Sequence, residues 1–148
     1  MKKLLLIAVL LACTTAMFAA RPPEVNAKVL KAFKETFKDV KDVNWYEYDS
    51  YYEASFNQAT IQNRIRYDAD GNIIGTTRYY APDQLPLNIL VKLKKRYEKR
   101  TLYYVTEITT DESLTYYITM QDDKHWYTVT SDLNGSFQQT EKFKKAEQ

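Results

Sequence analysis

The chain has 148 residues, with 21 Lys+Arg against 19 Asp+Glu, one histidine and one cysteine. That length suffices for one domain or two very small ones, and the near balance of charge leaves no net basic footprint for a nucleic-acid partner. Three glycines in the whole chain exclude extended flexible linkers and glycine-rich phosphate loops.

Lys2 and Lys3 precede an apolar run that starts at Leu4, continues in small or apolar residues and two threonines to Ala20, and stops at Arg21-Pro22-Pro23. A basic start, an apolar middle and a small-residue end make residues 1–20 a secretory signal peptide. Cleavage after Ala20 or Ala19 leaves Phe18 or Met17 third before the cut. A membrane anchor is the competing reading, since the run is roughly long enough to span if Thr14 and Thr15 are tolerated. Leu10-Leu11-Ala12-Cys13 also resembles a lipobox, although Thr14 to Ala20 stay apolar where a lipoprotein tether is usually polar. The expected location is the periplasm or the medium, with membrane attachment only if Cys13 is lipidated. Loss of residues 1–20 removes two lysines and no acid, leaving 19 basic against 19 acidic residues. It also removes Cys13, so the mature chain can form no disulfide framework and no thiolate zinc site. No cofactor is implied.

After the prolines, Val25, Val29, Leu30, Phe33 and Phe37 form a helical stripe. Strand patterns follow at residues 43–48, 51–56, 61–67 and 73–80, separated by the turns Asn57-Gln58-Ala59-Thr60 and Asp68-Ala69-Asp70-Gly71-Asn72. From Pro86 a second stripe runs through Leu87, Leu90, Leu93 and Tyr97, with Ile89 beside it. Strand patterns recur at 102–108, 114–120, 125–130 and 136–143, with turns at Gln121-Asp122-Asp123-Lys124 and Asp132-Leu133-Asn134-Gly135. The order is one helix and four strands, twice. Phe33, Phe37, Trp45 and Glu47 correspond to Leu93, Tyr97, Val105 and Glu107 sixty residues later. Tyr52, Phe56, Ile65, Asp68 and Gly71 correspond to Tyr116, Met120, Val129, Asp132 and Gly135 at an offset of sixty-four. The expected fold is therefore α+β, a tandem repeat of one helix packed on a four-stranded antiparallel sheet. Residues 21–82 and 83–148 form the two units, joined in one compact domain.

The motifs are a helix ending in Phe37, Trp45 opening the first strand, Tyr67-Asp68-Ala69-Asp70-Gly71-Asn72, and Gln84-Leu85-Pro86 before a basic helix ending in Tyr97. With Asp132-Leu133-Asn134-Gly135 in the second unit, this pattern resembles the PepSY-like, β-lactamase-inhibitor-protein-like family of exported bacterial proteins over about residues 25–143. The resemblance implies periplasmic or surface localisation, tandem helix-plus-sheet units, and binding or inhibition of another protein. It supplies no catalytic residues, and fold alone does not settle function.

Chemistry-bearing patterns are sparse. Asp68 to Asn72 begins like a calcium loop, but Gly71 is fourth instead of sixth and the twelfth position is Tyr79, so a hairpin turn is expected. His125 stands alone, and no Gly-x-Ser-x-Gly is present. Glu47, Glu53 and Glu107 would be the carboxylates of any acid–base pair, but their recurrence follows the repeat, and no enzyme activity is expected. Lys92, Lys94, Lys95, Arg96, Lys99 and Arg100 read as the solvated face of a helix, contact with an anionic membrane being the alternative. Strand alternation points Tyr52, Ala54, Phe56, Tyr116, Ile118, Met120, Tyr127 and Val129 toward the helices. The opposite sheet face should then present Tyr51, Glu53, Arg64, Arg66, Tyr117 and Trp126 to a periplasmic or surface protein or peptide.

Overall fold

The computed structural model describes residues 24–146. The signal-peptide reading, its cleavage site and the acylation of Cys13 lie outside the described residues. Helix α1 (Ala27–Thr36) begins at Asn26, whose Oδ1 accepts the Lys28 N–H at 2.8 Å. This cap sets the start three residues beyond the proline pair. Four strands follow: β1 (Asn44–Glu47), β2 (Tyr52–Gln58), β3 (Ile61–Tyr67) and β4 (Ile73–Tyr80). A short 3-10 turn (Pro82–Gln84) leads into helix α2 (Leu87–Arg96). Strands β5 (Thr101–Thr109), β6 (Leu114–Gln121), β7 (His125–Ser131) and β8 (Phe137–Lys144) complete the chain.

All eight strands form one antiparallel sheet in chain order. The expected four-stranded sheet of each unit is corrected to one sheet of eight strands that both units share. Residues 76–80 of β4 pair with 105–109 of β5, so the backbone groups that two smaller sheets would leave on open edges are hydrogen-bonded to one another. Among the described residues, β1 and β8 are the edges.

Both helices lie on the same side of the sheet. Cross-strand register puts Trp45, Ala54, Ile65 and Thr76 in one row, and Tyr80, Val105, Ile118 and Val129 in another on the same face. Val29 and Phe33 of α1 pack on Ala54, Phe56, Ile65 and Tyr67. Ile89 and Leu93 of α2 pack on Val105, Ile118, Met120, Tyr127 and Val129. The expected α2 stripe needs correction. Leu87 is 74 % exposed and Val91 58 %, whereas Ile89 and Leu93 are fully buried. Leu85 is already tucked into the core ahead of the helix, and continuing its i, i+4 row rolls Ile89, Leu93 and Tyr97 inward.

Each half ties its last hairpin turn to its own helix. In the first, Asp68 Oδ1 accepts the N–H groups of Asp70 and Asn72, each at 2.9 Å. Gly71 takes φ +88°, and a Cβ there would meet the Lys28 carbonyl oxygen at 3.0 Å, so both backbone angle and space require glycine. Lys28 Nζ reaches Asp70 at 2.6 Å. In the second, Asp132 Oδ1 accepts from Asn134 and Ser136 at 2.9 Å, Gly135 takes φ +77°, and Lys92 Nζ donates to the Asn134 carbonyl at 2.8 Å. The calcium-like run is therefore an Asx-type hairpin turn whose carboxylate serves its own backbone.

Candidate binding face

Alternation along the strands sends every second side chain away from the helices. The face so formed is covered by no helix among the described residues, and it divides into a polar and an aromatic part.

The polar part lies over β1 to β4. Tyr46, Glu53 and Arg66 share one row, and Ser55, Arg64 and Thr77 the next. Arg64 Nη1 stands 3.7 Å from Glu53 Oε1. The Arg66 guanidinium lies flat against Gly75, where a Cβ would come within 2.7 Å of Nη2. Glu53, expected at the surface, is buried, because the longer Tyr46, Arg64 and Arg66 side chains flank it. Tyr51 lies in the turn between β1 and β2, its ring stacked on Tyr48 with centroids 4.5 Å apart.

The aromatic part lies over β4 to β8. Tyr79 and Tyr117 occupy one row, Tyr104 the next, and Trp126 with Phe143 the third. Tyr79 stacks on Tyr104 at 6.2 Å, and Tyr103 meets Trp126 edge-on at 4.9 Å. Lys145 Nζ sits 5.2 Å from the centre of the Trp126 ring. Tyr103 and Phe143 are the most exposed, at 59 % and 57 %. Of the six residues expected on this face, Glu53, Arg64 and Arg66 come together. Tyr117 is three strands and two residues from Arg64, about 16 Å at ordinary strand spacing. Trp126 lies at the far end and Tyr51 in a turn. Tyr79, Tyr103, Tyr104 and Phe143 were not anticipated. A bulge between Leu102 and Tyr104 brings two consecutive tyrosines to one face, which strict alternation forbids; only the Tyr103-Tyr104 pair itself hints at it.

The carboxylates are divided by the sheet. Glu107 is 8 % exposed on the helix side, accepting the Tyr80 hydroxyl at 2.7 Å and Arg78 Nη1 at 3.1 Å. Burial, reinforced by this hydrogen bond, pushes the Tyr80 phenol far above its ordinary range, and burial beside Glu107 raises Tyr116. Glu53 points to the other side, so Glu53 and Glu107 cannot flank one substrate bond. Glu47 shares the helix side but lies four strands and four residues from Glu107, about 23 Å at ordinary strand spacing. His125 is half-buried beside Asp122, with Nδ1 3.6 Å from Oδ1. Among the described residues, no three of His, Cys, Asp and Glu converge as a metal site would require. No helix of the described residues is long and apolar enough to cross a membrane.

No family model matches the chain, and no curated protein matches it in sequence. Solved structures do match. A BLIP-like protein from Bacteroides fragilis superimposes with a TM-score of 0.64 at 15% identity, covering 87% of this chain and 92% of that one. A candidate periplasmic protein from Bacteroides eggerthii gives 0.63 at 14% identity, covering 82% and 90%. A DUF2874 family protein from Bacteroides ovatus gives 0.62 at 18% identity, covering 84% and 88%. The fold is the BLIP-like one, over nearly the full length of each neighbour. Identities this low establish the fold alone.

Proposed function

We propose that this chain is an exported, non-catalytic binding module, and that the sheet face opposite the helices contacts a periplasmic or surface protein or peptide. The observation that carries the reading is the aromatic part of that face. Tyr103, Tyr104, Tyr117 and Phe143 are exposed around the half-buried Trp126, on a face with no covering element among the described residues. Tyrosine and tryptophan supply large contact area at low conformational cost and dominate binding energetics. Arg64 and Arg66 extend the face with planar donors suited to carboxylates. Division of the carboxylates between the two faces supports a non-catalytic role. The BLIP-like fold and the periplasmic description of one neighbour support export. The two halves are, in this reading, diverged copies of one helix-plus-four-strand unit. Three pairs of equivalent backbone bonds support it: Phe37 to Phe33 and Tyr97 to Leu93, Val40 to Phe37 and Arg100 to Tyr97, Gly71 to Asp68 and Gly135 to Asp132.

The test is a pull-down from periplasmic extract with three forms of the exported chain, each checked for folding: wild type, Tyr117→Ala with Trp126→Ala, and Lys31→Ala with Lys34→Ala on α1. The same protein should be retained by the wild type and the α1 variant and lost with the sheet variant, since truncating a central aromatic weakens binding by about 2 kcal/mol or more. Retention by all three, or by none, contradicts the proposal and favours a structural domain without a specific partner.

A further inference from the structure

The exposed side of α2 is unlike that of α1. Ile89 and Leu93 turn inward, so the ridge opposite them carries Leu87, Val91, Lys94 and Lys95, at spacings i, i+4, i+7 and i+8. The corresponding α1 positions, sixty residues earlier, are Ala27, Lys31, Lys34 and Glu35. There Lys31 Nζ stands 3.9 Å from Glu35 in an ordinary i, i+4 pair. On α2 both the apolar pair and the charge pattern change. Leu87 and Val91 are among the most exposed aliphatic side chains of the described residues. Between residues 82 and 100 there are six basic side chains and two acids, Asp83 and Glu98. Lys92 is engaged with Asn134, and Arg100 is stacked 3.6 Å over the Tyr127 ring. Among the described residues, Lys94, Lys95 and Lys99 are in no ion pair. The mature chain is neutral overall, so this segment is a local concentration of positive charge.

We infer that α2 is a docking surface for an anionic lipid bilayer. Leu87 and Val91 would enter the interfacial region while Lys94, Lys95 and Lys99 meet acidic headgroups, an apolar anchor flanked by cations in no ion pair. A bilayer suits this surface better than an acidic protein groove. The helix is convex and its apolar pair stands at the crest, and the positive charge spreads along the chain past the helix end. Both helices are on one side of the sheet and the aromatic face is on the other. Docking through α2 therefore presents that face to the aqueous compartment. The inference does not depend on the aromatic face binding anything.

The test is co-sedimentation with vesicles of phosphatidylcholine alone or with one third phosphatidylglycerol, using the chain purified as cells process it. Wild type should bind the anionic vesicles in preference to the neutral ones, and added salt should weaken this binding. Each basic residue near the surface contributes about fivefold, so Lys94→Glu with Lys95→Glu should lower anionic binding at least tenfold. Leu87→Ser with Val91→Ser should lower what survives at high salt, and these exposed positions carry little folding risk. Lys31→Glu with Lys34→Glu on α1, whose ridge carries no exposed apolar pair, should lower anionic binding clearly less than the α2 charge variant. Equal binding to neutral and anionic vesicles, or equal loss from the α1 and α2 charge variants, overturns the inference.

Discussion

The two halves have the same element order and the same turn-to-helix ties, but different interiors. The first is built ring on ring. Phe33 meets Phe37, Trp45 and Phe56 at centroid distances of 5.1 to 5.3 Å, and Tyr67 lies beneath Trp45. The second is mainly aliphatic, with Ile89, Leu93, Val105, Ile118, Met120 and Val129 all fully buried. Its tyrosines are tied to carboxylates, Tyr80 to Glu107 and Tyr127 to Asp122. In the first half the buried Tyr67 hydroxyl has no partner among the described residues, and burial pushes its pKa up to about 12. Two different interiors under one element order mean that the pattern of inward positions, more than residue identity, specifies this fold. Surfaces and polar contacts meanwhile differ between the halves.

The largest expected effects lie in the two interiors. Phe33→Ala should cost about 3–5 kcal/mol and Leu93→Ala about 2–5 kcal/mol. Because β4 and β5 join the halves in one sheet, either loss should unfold both together. Urea titrations followed through Trp45 in one half and Trp126 in the other, each isolated by replacing the second tryptophan with phenylalanine, should give one midpoint. Separate midpoints would show that the halves are independent domains.

Next come the equivalent glutamates. Glu107→Ala leaves the Tyr80 hydroxyl buried without an acceptor and should cost about 1–3 kcal/mol. Glu47 is exposed, and Glu47→Ala should stay within about 0.5 kcal/mol. Chemical denaturation of the two variants measures the gap, and equal costs would mean that the Glu107 network is not specific to the second half.

The smallest effect concerns the hairpin turns. In the second half, Asp122 is held well below the usual carboxylate range, first by the Tyr127 hydroxyl and then by the Lys124 and His125 N–H groups. The Asn72 side chain does the same for Asp68, and the Ser136 N–H for Asp132. A depressed folded-state pKa contributes stability that is present above the unfolded value, near 3.9, and is lost as pH falls through the folded one. Thermal stability should therefore be flat from about pH 7 to 5 and decline below about pH 4. The first half's counterpart to Asp122 is the turn at Ala59, which carries no acid and holds Ala59 at φ 52°. Asp122→Asn should thus flatten the acid decline; an unchanged acid limb would remove Asp122 from the account.

Legibility in the sequence followed the physics of each element. Strands β3 and β4 were readable to the residue, because Asp68-Ala69-Asp70-Gly71-Asn72 marks a turn between two alternating runs. The assignment of Glu53, Arg64, Arg66, Tyr117 and Trp126 to the side away from the helices follows from alternation, and cross-strand register places them there. Burial of Glu53 was not readable, since it depends on the flanking side chains. The roll of α2 was obscured because apolar residues nearly encircle its first two turns, leaving the inward row ambiguous. The bulge at Tyr103, hinted at only by the Tyr103-Tyr104 pair, and the zipping of β4 to β5 are properties of strand pairing that local patterns do not specify.

As proposed, the molecule is two-sided, with recognition on the sheet and attachment through α2. Photocrosslinking in intact cells tests it most directly, with a photoreactive residue placed in turn at Thr119, amid the aromatic patch, at Val91 and at Lys31. Capture of a specific protein from Thr119, of lipid from Val91, and of neither from Lys31 is the predicted result. A Thr119 position as silent as Lys31 would contradict it.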